Sequence, residues 1–447
     1  MKLPEYVLNC IEALEKAGFA AYAVGGCVRD SLLGLTPHDY DLCTCALPEQ
    51  TQTVFSDRSL VLTGKKHGTI GVVTQQGVVE ITTFRTEGEY RDNRHPDRVD
   101  FVADIEQDLA RRDFTINAIA YSPSRGYADP FGGRRDLEKS VLRTVGDPQL
   151  RFREDSLRIL RGVRFAAKYG LRVEEETLSA MFCLAPQMQK LARERVFAEL
   201  CGLLPYVTAE DLLRFAPIFG EVIPELKPMM GFQQHSPHHA YDVYTHTAYV
   251  VEGVSGDLIR RWAALLHDSG KVATFTRDET GRGHFYGHAQ KSAEIASTVL
   301  RRLKAPNDLR QPVVFLIDKH MTKLEPDKKL LRRRVAQYGW EAVSDLLALQ
   351  MADFASKGVM GTAPDFDRVD QLLAEIFEED ACLSLKDLAV SGHDLMALGY
   401  SGRQIGEKLE LLLEMVLDEQ LPNEKEALLK FLKNECRRGE LPLPCRS

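Results

Sequence analysis

With 447 residues, 44% of them hydrophobic and 27% charged, the chain can bury the cores of roughly two to four domains. Its net charge of −8 excludes a basic coat protein that holds nucleic acid by charge alone. No stretch approaches the apolar run of about 18 residues that a membrane span needs. The nine cysteines are scattered, odd in number and without a CxxC pair, so reduced thiols and a cytoplasmic location are expected.

Residues 1–19 predict an acidic amphipathic helix rather than a signal peptide. Strands rich in Val, Ile and Thr are then predicted at 21–25, 39–43, 60–62, 69–74, 78–84 and 98–101. The first ends in Gly25 and Gly26, followed by a polar turn with Arg29 and Asp30. Glycines there let the backbone approach a bulky anion. Asp39 and Asp41 fall two apart on the second predicted strand, where residues i and i+2 share a face. Paired carboxylates repel unless a cation lies between them, and hard divalent ions such as Mg²⁺ take oxygen ligands of this kind. Together, turn and acids suit a metal-bridged triphosphate.

Residues 70–73 and 78–81, joined near Gly77, predict a β-hairpin whose second strand carries Glu80, a candidate third acid of the metal site. The polar segment 87–98 predicts a mobile loop. Arg111 and Arg112, with Asp113 and Asn117 just beyond, offer groups for phosphate and ribose. A turn at 129–133 closes this part of the chain.

From about residue 137 strand signals nearly vanish. A helix is predicted at 154–165, with Asp155 three residues before Arg158, and Arg158, Arg161 and Arg164 on one stripe that asks for an anion or a base edge. Residues 228–237, bounded by prolines, predict a linker. Beyond it His246, the doublet His267 and Asp268, and the later Asp353 form a metal-ligating set, with His288 and His320 as donors for a second metal. The doublet His393 and Asp394 has no partner histidines nearby and is not counted as a metal site. The rest is helical and charged, and the basic run at 328–334 is a candidate surface for nucleic acid.

The ordered motifs GG…RD…HDYDLCT, TTFRTEGEYRDNRHPD, RRDFTINAIAY, DPFGG and EDSLRILRGVRFAAKYG resemble the class II tRNA nucleotidyltransferases, the bacterial CCA-adding enzymes and their poly(A) polymerase relatives. Residues 240–355 resemble an HD metal-dependent phosphohydrolase domain. The resemblance implies an α+β head with a five-stranded, polymerase-β-like sheet, followed by an all-α neck, an HD domain and a helical tail. The corresponding segments are 1–136, 137–225, 226–355 and 356–447. It implies template-independent addition of C, C and A from CTP and ATP to tRNA lacking all or part of its 3′ CCA.

By position, Asp39 and Asp41 would hold Mg²⁺, with Glu80 as the further catalytic acid that the hairpin offers. By position too, Gly26, Arg29, Arg112, Asp155, Arg158, Arg161 and Arg164 would contact the nucleotide, and Gly25 and Asn117 are expected beside them from the local sequence. A divalent transition metal is the cofactor implied for the HD site. The template has a physical basis: a carboxylate accepts from the exocyclic amino group that C and A both carry, and an arginine donates to the ring acceptor beside it. Moving from C to A then requires the pair to reorient, hence a mobile loop such as 87–98. The segment LTGKKHGTIGVV lacks the basic motif typical of poly(A) polymerases, and the loop after TTFR is not shortened as in CC-adding relatives. A-only addition and poly(A) synthesis are the nearest alternatives. An HD-type phosphodiesterase of nucleotides or RNA ends is the alternative from another class.

Overall fold

The structure, a computed structural model, describes residues 1–88, 99–236, 240–358, 364–379 and 382–437. It divides into two units, Met1–Met230 with Val299–Ala305, and Gly231–Thr298 with Pro306–Ser447. None of its helices is long and apolar enough to cross a membrane, among the described residues.

In the first unit, Val7, Cys10, Ile11 and Leu14 recur at helical spacing and are the buried stripe of the opening helix, Glu5–Lys16. It packs beside a strand, β1 (Ala21–Val24), that is buried along its whole length. Next come β2 (Leu42–Thr44), β3 (Leu60–Val61), β4 (Thr69–Thr74) and β5 (Gly77–Thr83). A separate ribbon pairs β6 (Arg85–Glu87) with β7 (Val99–Phe101), and β8 (Ala120–Ser122) and β9 (Gly126–Ala128) close a hairpin. The main sheet has seven strands in the order β3-β4-β5-β2-β1-β8-β9, where five were expected. The β8–β9 hairpin accounts for the difference. β8 was not foreseen, because its Ala-Tyr-Ser sequence carries little strand signal and is held by pairing to β1.

The predicted hairpin is β4–β5, turning between Thr74 and Gly77. Most of the predicted mobile loop, residues 89–98, lies outside the described residues. Asp39 and Asp41 are not in the body of a strand, as 39–43 predicted: β2 begins at Leu42. All three residues of β2 are buried, so a carboxylate among them would lose its water. The acids stand instead at the strand's mouth, and both are exposed. The Asp41 carbonyl still accepts from Val24 N–H at 3.0 Å, which fixes its backbone to β1. Tyr22, Val24, Cys43, Phe84, Leu109, Ala118, Ala120 and Val145 form a core cluster behind the mouth.

The helix predicted at 154–165 is two helices, Pro148–Glu154 and Leu157–Tyr169. Asp155 lies in the joint with extended backbone, φ −145° and ψ 103°, so it is off the arginine stripe. Gly170, at φ +62°, ends the second helix in the left-handed conformation that glycine adopts without strain.

The second unit is almost wholly helical. Buried faces of Val243–Gly253, Leu258–Leu266, Asn307–Lys319 and Trp340–Ala355 make its core. A further cluster of Leu388, Val390, Leu395, Leu412, Leu428 and Leu432 closes the tail. The basic run is largely consumed by ion pairs: Lys328 and Arg332 bind Glu379, and Arg333 binds Asp418. Asp394 caps its own helix through Ser391 and pairs with Lys425 at 2.6 Å, a structural role in keeping with leaving the second His–Asp doublet aside.

Candidate active site

Three acidic residues meet at the mouth of the sheet. β2 runs parallel to β5 with Leu42 opposite Ile81, which sets Asp41 beside Glu80 on the neighbouring strand. The surrounding protein strips part of the water from the Asp41 carboxyl although the residue stays exposed, and that desolvation, then Asp39 and Glu80, push it up to about 6, against the pull of Arg112. The three carboxylates are not among the donor groups that close to within 4.8 Å of one another. An oxygen-only set in which like charges already raise a pKa suits a hard divalent cation.

Gly25 caps the Gly26–Leu32 helix at φ +76°. A Cβ at Gly25 would lie 2.8 Å from Arg112 Nη1 and push that guanidinium aside, and the positive φ there itself favours glycine. Arg112 is loosely held, with Nη1 3.5 Å from the Asn117 carbonyl and Nη2 3.5 Å from Asp108. Its Nε is buried without a hydrogen-bond partner among the described residues. A half-buried, under-committed cation beside a glycine turn and three acids is suited to a phosphate chain.

Arg29 is placed differently from the expectation of a triphosphate contact. It is 7% exposed and its donors are taken: Nε to Asp30 at 2.8 Å, Nη1 to Asn117 at 2.6 Å and Nη2 to the Tyr169 hydroxyl at 2.6 Å. The guanidinium also lies over the rings of Tyr169 and Phe165, at 4.6 and 5.1 Å. Arg29 thus ties the glycine turn to the far end of the Leu157–Tyr169 helix. Asn117 is occupied too, accepting from Arg29 and donating to Asp113 at 3.0 Å.

Arg161 and Arg164, expected on the nucleotide, are engaged in ion pairs. Arg161 holds Asp113 at 2.8 Å and Arg164 holds Glu199 at 2.7 Å. Burial alone would raise the Asp113 carboxyl, but Arg161 and the Asn117 hydrogen bond outweigh it and bring it to about 2.

Asp155 and Arg158 lie at the helix joint. The Asp155 carboxylate accepts from Leu157 N–H at 3.0 Å and from Arg195 at 2.6 and 3.4 Å. Arg158 donates to Glu154 at 2.5 Å and to the Arg151 and Arg111 carbonyls, each at 3.2 Å. Sequence reasoning missed Glu154, Arg195 and Tyr169. Their only signal was charge or aromaticity in helical segments, and their partners are set by the fold.

In the second unit the expected histidines and carboxylates do converge. His246, His267, Asp268 and Asp353 form one donor group, and Asp268, His288 and His320 another, each within 4.8 Å. All four rings turn Nδ1 toward a backbone carbonyl, of Ser356, Ala264, Phe285 and Ile317 respectively, at 2.6–3.1 Å. That contact orients each ring with Nε2 facing inward. His288 and His320 face each other Nε2 to Nε2 at 3.1 Å, and His267 Nε2 is buried without a hydrogen-bond partner among the described residues. Asp268 serves both groups, Oδ2 toward His246 and His267 and Oδ1 toward His288. Burial and the neighbouring His267 hold His320 down at about 4, in the neutral form that offers a lone pair. Imidazole and carboxylate donors in this number fit a divalent transition metal. A cavity of about 320 Å³, lined by His320, Gln350, Asp353, Phe354, Lys357 and Phe366, adjoins the group.

Comparison with known proteins bears on both units. Residues 21–143 match the family described as Poly A polymerase head domain, and residues 283–432 the family described as tRNA nucleotidyltransferase domain 2. The CCA-adding enzyme of Streptococcus mutans is 33% identical over 433 residues, 96% of each chain. That of Levilactobacillus brevis is 34% identical over 427 residues, covering 94% of this chain and 95% of the relative. Among solved structures, the Bacillus stearothermophilus CCA-adding enzyme in complex with CTP superposes with a TM-score of 0.74 at 28% identity, over 98% of this chain and 99% of that one. The Thermotoga maritima CCA-adding enzyme complexed with tRNA shares the fold, with a TM-score of 0.58 at 22% identity, over 97% of this chain and 96% of the other.

Proposed function

The chain belongs to the CCA-adding enzyme family of tRNA nucleotidyltransferases, and on that premise we propose that it adds C, C and A to the 3′ end of tRNA from CTP and ATP. The observation that carries the reading is the mouth of the sheet: Asp39, Asp41 and Glu80 beside a glycine turn that admits Arg112. Asp39 and Asp41, with Glu80, would hold Mg²⁺, which supplies charge neutralisation at the triphosphate and a more acidic attacking hydroxyl. Arg112 binds the phosphate chain through its two terminal nitrogens, which the protein holds only by 3.5 Å contacts. Asp155 accepts from the amino group of C or A, and Arg158 donates to the acceptor beside it. The tRNA 3′ hydroxyl attacks the α-phosphorus, and pyrophosphate leaves.

Incubation of the purified chain with tRNA lacking its last three nucleotides, plus all four triphosphates, should add C, C and A in that order and then stop. Sequencing of the 3′ ends checks it. Addition of A alone to tRNA already ending in CC, with none to shorter ends, would replace this reading with the A-adding one.

A second reading concerns the HD site and rests on the inward-facing Nε2 atoms and the shared Asp268. We infer that it binds a divalent transition metal and hydrolyses phosphoesters of nucleotides or RNA ends. After loading with Ni²⁺, Co²⁺ or Mn²⁺ and dialysis, the wild-type chain should retain metal by plasma spectrometry. The variant carrying His267→Ala and Asp268→Ala should retain almost none, and should lose nucleotide phosphoester hydrolysis while still incorporating CTP. Equal metal content in the two proteins would sink the idea.

A further inference from the structure

Asp155 is an unusual place to put a base reader. It sits outside both neighbouring helices, in extended backbone, so no helical ladder fixes its side chain. Three donors do so. Leu157 N–H takes Oδ1 at 3.0 Å, and the Arg195 fork spans the carboxylate, with Nη2 at 2.6 Å from Oδ2 and Nη1 at 3.4 Å from Oδ1. Arg195 reaches in from the Arg193–Leu203 helix, which packs along Leu157–Tyr169. A two-pronged contact of this kind sets the plane of a carboxylate as well as its position. A carboxylate offers about four lone-pair sites, so three donors leave room for one more.

We propose that Arg195 is a specificity-determining positioning residue: by gripping both oxygens of Asp155 it aims the remaining acceptor site at the amino group of the incoming base. The inference rests on the reading of Asp155 as part of the base reader. With the plane fixed, C and A meet an acceptor where they carry a donor, and U and G meet an acceptor where they carry an acceptor. Released from the fork, the carboxylate turns about its own axis, the mismatch with U and G is relieved, and discrimination falls. Arg195 touches neither nucleotide nor reacting atoms, so its removal acts on the choice of substrate more than on the chemistry.

The test uses the full-length chain and a tRNA transcript lacking its last three nucleotides, with kcat and KM measured separately for CTP, UTP, ATP and GTP. ATP and GTP are scored on a transcript ending in CC. Arg195→Ala and the milder Arg195→Gln should each lower the CTP-to-UTP and ATP-to-GTP ratios of kcat/KM by about 10–100-fold, the discrimination one bidentate contact commonly provides. Arg195→Lys, which can hold one oxygen but not both, should recover part of the ratio. Asp155→Ala is the control for the underlying reading. If it leaves the ratios unchanged, Asp155 is not a base reader and both ideas fall. If Asp155→Ala collapses the ratios while both Arg195 variants lower all four substrates by one common factor, only the role of Arg195 is overturned. Thermal melting identifies any variant that fails to fold. In that event the assignment is decided on Arg195→Lys, which keeps the charge: wild-type ratios there overturn it.

Discussion

Asp41→Asn should lower incorporation of both CTP and ATP by at least about 10³-fold, since a ligand to the metal that neutralises developing charge acts in the transition state itself. The same variant should be more stable than the wild type at pH 7 without metal. Asp41 is pushed up to about 6 by partial desolvation and by Asp39 and Glu80, so the metal-free chain carries unrelieved repulsion above that pH. The sign follows from linkage. Because the folded state holds the Asp41 proton more tightly than the unfolded state, folding takes up a proton between about pH 4 and 6. Stability therefore rises as pH falls through about 6, and Asp41→Asn should flatten that rise. Exposure at the mouth keeps the effect modest. Incorporation should fall over the same interval, as protons displace the metal. Melting curves at pH 5 and 7 with EDTA, and incorporation rates at both, check the pair of claims. Equal stability of wild type and Asp41→Asn at pH 7 would show that the carboxylates are not under mutual strain.

Arg29→Met should cost about 3 kcal/mol of stability, the scale for removing one partner from a buried charged network. The substitution keeps much of the volume between Phe165 and Tyr169 but strips hydrogen bonds from Asp30, Asn117 and the Tyr169 hydroxyl. Tyr169 is already raised to about 12, by burial first and then by Asp30 against the pull of Arg29, so it remains a neutral hydroxyl. Urea unfolding checks the loss. A KM for CTP close to wild type in the folded fraction would separate this role from the phosphate contact that the family pattern suggested. A large rise in KM with unchanged stability would restore the triphosphate role.

The contrast between Arg29 and Arg112 shows where sequence reading stops. Both stand in polar motifs beside the proposed phosphate site. Which guanidinium is already satisfied depends on Tyr169, 140 residues from Arg29, and on the space over Gly25. By contrast, the β4–β5 hairpin was legible because Val and Ile alternate across a two-residue turn, and Glu80 stood out as the one acid in that alternation. The convergence of the second unit's histidines and carboxylates was legible because imidazoles and carboxylates are rare on apolar helices. What could not be read was the shared use of Asp268, which needs the two oxygens located separately. The strand expected at 39–43 failed for a local reason. A spacing of two is compatible with the mouth of a strand as well as its body, and only the burial of Leu42, Cys43 and Thr44 decides between them.

The Leu157–Tyr169 helix begins two residues after Asp155 and ends on the ring that stacks with Arg29. At 1.5 Å per residue it spans about 18 Å from its first residue to its last, a fixed length between the joint proposed to read the base and the turn beside the acids. It acts as a ruler. Adding or deleting one residue within it would change that length by only about 1.5 Å but would rotate one end against the other by about 100°. Arg158 and Tyr169 would no longer face their partners at the same time. Side chains along its surface can drift; its residue count cannot.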